Sequence, residues 1–173
     1  HRTAEAEGGE TLFANGVASG QIDPDAALAR LKPLLEDPTV LKVGQDVKFD
    51  LLVLRRRGIV MAPIDDAALV SYALDIGRPG FAGHGREQLA NKYFRHTPAV
   101  LGDLLGKGRK AIGFESLPAK DATAYAAETP DLAIRVHRLL APRLAAERKT
   151  TVYETLERPL VPVLARMEER GVA

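Results

Sequence analysis

The sequence predicts a mixed α/β fold, dominated by helices and holding a small sheet. Three observations carry this. Leu41-Lys-Val-Gly-Gln-Asp-Val-Lys-Phe-Asp50 runs from a short apolar stretch straight into a helical pattern. Ile59-Val60-Met61 is a second short apolar run, just after Gly58. The stretches 119–148 and 152–173 repeat apolar residues at helical spacing.

The chain has 173 residues, enough for one domain and the edge of another. Hydrophobic residues make up 46% and charged residues 27%, which suits a packed core and argues against wholesale disorder. A net charge of +1 neither points to nucleic acid nor excludes it, because a groove can concentrate positive charge locally. The chain has no cysteine, so disulfides, thiolate metal sites and a cysteine nucleophile are ruled out. It has no tryptophan and only 5% aromatics, which argues against a base-stacking platform. No apolar run approaches bilayer length.

Residues His1 to Gly20 are polar and weakly patterned. Asp23-Pro-Asp25 opens a helix, with Asp23 as cap, Pro24 in the first turn and Asp25 complementing the dipole. Leu28, Leu31 and Leu35 share one face, and Pro33 is expected to kink or end this helix. Val40 to Val43 is the expected central strand. The next helix turns Val47, Leu51, Leu52 and Leu54 to the core and ends at Gly58. Its Arg55, Arg56 and Arg57 suit a helix C-terminus. Ile59 to Met61 is the expected second strand. Asp65 and Asp66 are expected caps of a helix through Leu69, Tyr72, Ala73 and Leu74.

Gly77 to Gly85 reads as a loop, and it lacks the lysine-serine ending of a phosphate-binding loop. Gly106-Lys-Gly-Arg-Lys110 is a basic turn that suits either solvent or phosphate. The long stretch from Ala119 is expected to break after Glu128, with Thr129 and Pro130 starting a new helix. Val152 to Ala173 forms a last amphipathic helix, disturbed early by Pro159 and Pro162.

Asp46 and Asp50 lie four residues apart, on one helical face just after a strand. Carboxylates held there suit a divalent cation better than carboxylates on a loop. They equally suit a plain cap and a solvated helix residue.

Four segments in order carry a family resemblance: Leu31-Lys-Pro-Leu-Leu-Glu-Asp37, Val43-Gly-Gln-Asp-Val-Lys-Phe-Asp50, Tyr125-Ala-Ala-Glu128 and Arg158-Pro-Leu-Val-Pro-Val-Leu-Ala-Arg-Met167. From about residue 20 onward the chain resembles the 3′–5′ proofreading exonuclease domain of the bacterial DNA polymerase I family (family A). Residues 1–149 correspond to that domain, and 150–173 resemble the start of the polymerase domain. The resemblance implies a ribonuclease H-like exonuclease fold. It makes Asp50 a catalytic, metal-binding carboxylate and Tyr125 the phenol that orients the attacking water. It also implies Mg2+ or Mn2+ as cofactor, the single-stranded 3′ end of DNA as partner, a polymerase domain in cis and a cytoplasmic protein. Gln45, Lys48 and Phe49 are candidate substrate contacts. Phe49 suits a terminal nucleotide or the core equally, and Lys48 suits a phosphate or solvent.

The departures from the family are specific. Four residues after Tyr125 the family has an aspartate, and here stands Thr129. A neutral hydroxyl is a poor ligand for magnesium. Asp131 lies two residues on, roughly 200° around an ideal helix from that face. The family's first Asp-x-Glu strand finds no counterpart in Glu5-Ala-Glu7 or Asp23-Pro-Asp25, so the expectation is a chain that begins inside the domain, with an incomplete sheet and an unpaired edge near Val43. Asp46 replaces the family's asparagine and adds negative charge near Asp50.

Family chemistry is hydrolysis of the 3′-terminal phosphodiester with two metal ions. With Asp50 as the one clear carboxylate, the expectation is weak metal binding and weak or no hydrolysis. The alternative is an eroded exonuclease-like module that spaces the polymerase or holds DNA. A helical protein-binding module is a third reading, opposed by the two strand candidates. The geometric expectation beneath all of this is that Asp50 and Tyr125 line one cleft.

Overall fold

The computed structural model describes residues 22–77, 79, 83–106, 108 and 111–171. In chain order its elements are α1 (Pro24–Glu36), β1 (Lys42–Gly44), α2 (Val47–Arg55), β2 (Ile64–Asp66), α3 (Ala67–Asp75), α4 (Arg86–Phe94), α5 (Leu101–Leu105), a 3-10 turn (Phe114–Ser116), α6 (Ala119–Ala146), α7 (Thr150–Val152), a π turn (Tyr153–Glu157) and α8 (Arg158–Glu169). Helices dominate, as the sequence predicts. The chain forms two compact units. Of the described residues, one unit comprises those up to Leu31 together with Ala99–Glu128, and the other comprises those from Lys32 to Pro98 and from Thr129 onward.

In the second unit, β1 and β2 pair in parallel, with Val43 opposite Asp65 and Gly44 opposite Asp66. The expected strand at 40–43 is present, shifted to 42–44. The second strand is not Ile59 to Met61 but Ile64–Asp66. Ile59 and Met61 are buried, as an apolar run should be. Their segment, however, satisfies its amides elsewhere: Ile59 N–H donates to the Leu54 carbonyl, Val60 N–H to Glu36 Oε1 and Ala62 N–H to the Leu35 carbonyl. With its donors used in this way, the segment has no ladder to join.

Two apolar clusters hold this unit. The larger joins Ala67, Val70 and Leu74 of α3, Leu89 of α4, Val136, Leu140 and Leu144 of α6, and Tyr153. The smaller joins Val47 and Leu51 of α2, Met61, and Val161 and Ala165 of α8, with Leu35 packed against it. Each fully buried leucine or valine here contributes about 1.5–3 kcal/mol. Val161 and Ala165, four residues apart, form the face that seats α8 on α2.

The prolines inside α1 and α6 do not end those helices. α1 runs through Pro33 to Glu36. α6 is continuous through Pro130 and Pro142, so no break follows Glu128. A proline in a helix forfeits one hydrogen bond, and tertiary burial can outweigh that loss. Here Leu132, Ala133, Val136 and Leu140 are all buried just past Pro130. Thr129 therefore does not begin a new helix. Near the C-terminus, the wide π turn Tyr153–Glu157 comes immediately before Pro159 and accommodates its missing donor.

In the first unit, Asp23 caps α1, accepting from Ala26 N–H at 2.9 Å. Leu117 and Ala122 are buried, and Glu128 accepts from Ala99 N–H at 2.9 Å. The Glu5-Ala-Glu7 segment and parts of the 77–85 and 106–110 loops lie outside the described residues.

Candidate functional site

The carboxyl ends of two parallel strands open beside the N-termini of the helices that follow them. α/β folds commonly place ligands at such ends. Here one carboxylate organises the corner. Asp66, at the end of β2, accepts from Ala68 and Leu69 N–H through Oδ1 at 2.8 and 3.3 Å, which caps α3. Its Oδ2 accepts from Val47 N–H at 2.9 Å, which caps α2 as well. Burial pushes the Asp66 carboxyl pKa up, against the backbone donors that favour its charged form.

Asp46 consequently does not cap α2 with its side chain. It is exposed and adopts φ 57°, ψ 46°, a left-handed conformation that aspartate tolerates better than most residues. Asp65, the other expected cap, is a buried strand residue instead. Its Oδ2 lies 2.7 Å from His137 Nε2, and Tyr153 donates its phenol proton to Oδ1. Burial works against ionisation of Asp65, but these two partners hold its carboxyl below the ordinary carboxylate range.

Asp50 sits in the first turn of α2, with its carboxylate over the end of β1. A side chain added at Gly44 would come within 3.5 Å of Asp50 Oδ2 and 2.9 Å of Val47 Cγ2. Glycine is needed there for close approach of strand and helix. Burial raises the pKa of Asp50, and the charges of Asp46 and Asp66 raise it further.

The three candidate contacts adjoin it. Phe49 is 62% exposed and takes no part in the core. Gln45 Nε2 donates to the His84 carbonyl at 3.2 Å, while its Oε1 is buried and meets no hydrogen-bond donor among the described residues. Lys48 pairs with Glu168 of α8 at 2.8 Å. Tyr125 lies on α6 in the first unit, half-buried, its ring edge-on to Phe114 at 6.4 Å between centroids. Asp50 and Tyr125 thus belong to different units.

Thr129 is the position where the family resemblance puts an aspartate. Its Oγ1 accepts from Arg86 Nη1 at 2.7 Å. Asp131 is exposed and pairs with Arg135 one turn on at 3.2 Å, so it takes a surface role. Sequence reasoning missed Arg86, His137 and Tyr153. No local motif marks them, since their partners are 43, 72 and 88 residues away in the chain.

The helix-rich architecture with its small parallel sheet fits the ribonuclease H-like class of α/β folds. More particularly, a family model described as 3′–5′ exonuclease, of the DNA polymerase A kind, matches residues 9–145, and the chain belongs to that family. It is 48% identical over 161 residues to DNA polymerase I of Rhizobium leguminosarum, covering 93% of this chain and 16% of that protein. It is 41% identical over 155 residues to DNA polymerase I of Pseudomonas aeruginosa, covering 87% of this chain and 17% of that protein. The chain thus spans about a sixth of these relatives' length. Among solved structures, Brucella melitensis NrnC superposes with TM-score 0.64 at 21% identity, over 82% of this chain and 64% of that one, which supports the fold.

Exonuclease domains of this family use divalent metals. The residues described here do not fit such a centre. Among them, no group of three or more aspartate, glutamate or histidine side chains is placed to hold an ion. Asp66 has both oxygens engaged by backbone donors, and position 129 offers a hydroxyl in contact with a guanidinium. Among the described residues, no helix is long and apolar enough to cross a membrane.

Proposed function

We propose that this chain is the proofreading 3′–5′ exonuclease module of a DNA polymerase I, which takes the single-stranded 3′ end of DNA beside a polymerase domain in cis and hydrolyses it weakly. The observation that carries this reading is the corner at the ends of β1 and β2. It has an exposed aromatic at Phe49, a buried Gln45 acceptor with no donor among the described residues and a carboxylate of raised pKa at Asp50. In this reading Phe49 supports the terminal nucleotide by apolar contact. Gln45 Oε1 accepts a hydrogen bond from it, and Lys48 exchanges Glu168 for a phosphate. Asp50 holds the attacking water. Sequence of the polymerase domain begins at about residue 150, in keeping with a family match that ends at 145.

Hydrolysis is weak because Thr129 replaces a charged ligand, and activity of this kind rests on charge neutralisation. The test is digestion of a 3′-labelled single strand with Mg2+ or Mn2+. Digestion should be slow and should vanish in Asp50→Ala. Rapid digestion, or digestion indifferent to Asp50→Ala, contradicts the proposal. The contact between Arg86 and Thr129 favours a second reading, in which the module holds DNA or spaces the polymerase domain and does no hydrolysis at all.

A further inference from the structure

We infer that the Arg86 guanidinium is a resident cation that replaces a bound metal ion beside position 129, so that restoring a carboxylate there would create an ion pair and not a metal site. This rests on the reading of Thr129 as the lost carboxylate position. Arg86 Nη1 donates to Thr129 Oγ1 at 2.7 Å, and its Nη2 donates to Glu87 Oε1 at 3.1 Å. The Arg86 side chain is only 9% exposed, whereas that of Glu87 is 44% exposed. A guanidinium is permanently charged and presents its donors in a rigid fork, so this charge cannot be titrated away.

The placement runs against local preference. Arg86 is the first residue of α4, where a cation opposes the helix dipole. Its position is nonetheless fixed, because Gln45 at the end of β1 holds the carbonyl of His84, two residues earlier. The start of α4 that carries the cation is therefore tied to the end of β1. A divalent ion against Thr129 would meet the Arg86 guanidinium at close range, and the half-exposed Glu87 carboxylate offsets that charge only in part. The threonine hydroxyl brings no negative charge to offset that repulsion.

The test is a double-mutant cycle on the whole chain: unaltered protein, Thr129→Asp, Arg86→Gln and both together, each melted with Mn2+ and with EDTA. With Arg86 present, Thr129→Asp should raise Tm by about 2–4 °C, equally in Mn2+ and EDTA. With Arg86→Gln, the same change should lower Tm in EDTA, and Mn2+ should recover the loss. An identical effect of Thr129→Asp in both backgrounds would overturn the inference. So would a Mn2+ response of Thr129→Asp while Arg86 is intact. Arg86→Lys keeps the charge and serves if Arg86→Gln does not fold: the gain from Thr129→Asp must persist in it. A Mn2+-dependent rise in Tm of the unaltered protein is a different failure, because it strikes the reading of Thr129 itself.

Discussion

Replacing Tyr153 with phenylalanine removes one hydroxyl and leaves the ring in place. Tyr153 is fully buried in the larger core cluster, and its phenol donates to Asp65, itself 6% exposed. Burial and the Asp65 carboxylate push the Tyr153 pKa well above that of an ordinary tyrosine, so the phenol keeps its proton and acts as a donor at every working pH. A hydrogen bond to a charged group contributes about 1.5–3 kcal/mol. The carboxylate left behind keeps His137 at 2.7 Å, so the loss should fall in the lower half of that range, about 2 kcal/mol. For a chain of this size that corresponds to about 4–8 °C in Tm. Urea unfolding at pH 7 checks it, with the midpoint lowered and the m-value unchanged. The sign of the pH dependence follows from Asp65. Its folded pKa is depressed, so its contribution is present above the ordinary carboxylate value of 3.8 and is lost as pH falls through the lower folded value. Tyr153→Phe should therefore lose part of this acid sensitivity. A variant as stable as the parent at pH 7, or one with the same acid unfolding profile, would refute the role given to this bond.

Asp50→Asn should stabilise the chain at neutral pH, by about 1–2 °C in Tm, because burial and the charges of Asp46 and Asp66 disfavour an ionised Asp50. The gain should shrink in acid, where Asp50 takes up a proton at its raised pKa, and a melt at pH 4 beside one at pH 7 checks the sign. Asp75→Asn should cost about 2–3 kcal/mol by urea unfolding, since the 1% exposed Asp75 ties Lys92, Tyr93 and Arg143 at 3.2, 3.1 and 3.3 Å. Glu168→Gln should change stability by less than about 0.5 kcal/mol, because its pair with Lys48 is exposed. It should also tighten single-stranded DNA binding in a salt-dependent manner by freeing Lys48, and fluorescence anisotropy at two salt concentrations checks this.

The helix faces were legible in the sequence because apolar spacing is a local signal. Val47, Leu51 and Leu52 face the core as their spacing predicts. Of the candidate site, the sequence made legible the strand that leads into it, expected at 40–43 and found at Lys42–Gly44. What escaped depends on distance in the chain. Ile59 to Met61 has strand composition, yet α1 and α2 satisfy its amides, a competition that no window of sequence displays. The propensity cost of Pro130 is real, but the buried face of Leu132, Val136 and Leu140 outweighs it. Asp66 is recognisable as a cap of α3, whereas its second bond, to Val47, exists only through the parallel register of β1 and β2.

The central claim is that the corner formed by Gly44 to Asp50 receives the 3′ end of a DNA strand. The most direct measurement is a backbone amide titration of the chain with a short single-stranded oligodeoxynucleotide, compared with the same strand blocked at its 3′ end. The account predicts the largest shifts at Gly44, Gln45, Lys48, Phe49 and Asp50, reduced by the block. Shifts that leave these five residues unmoved, or that ignore the 3′ block, would contradict it.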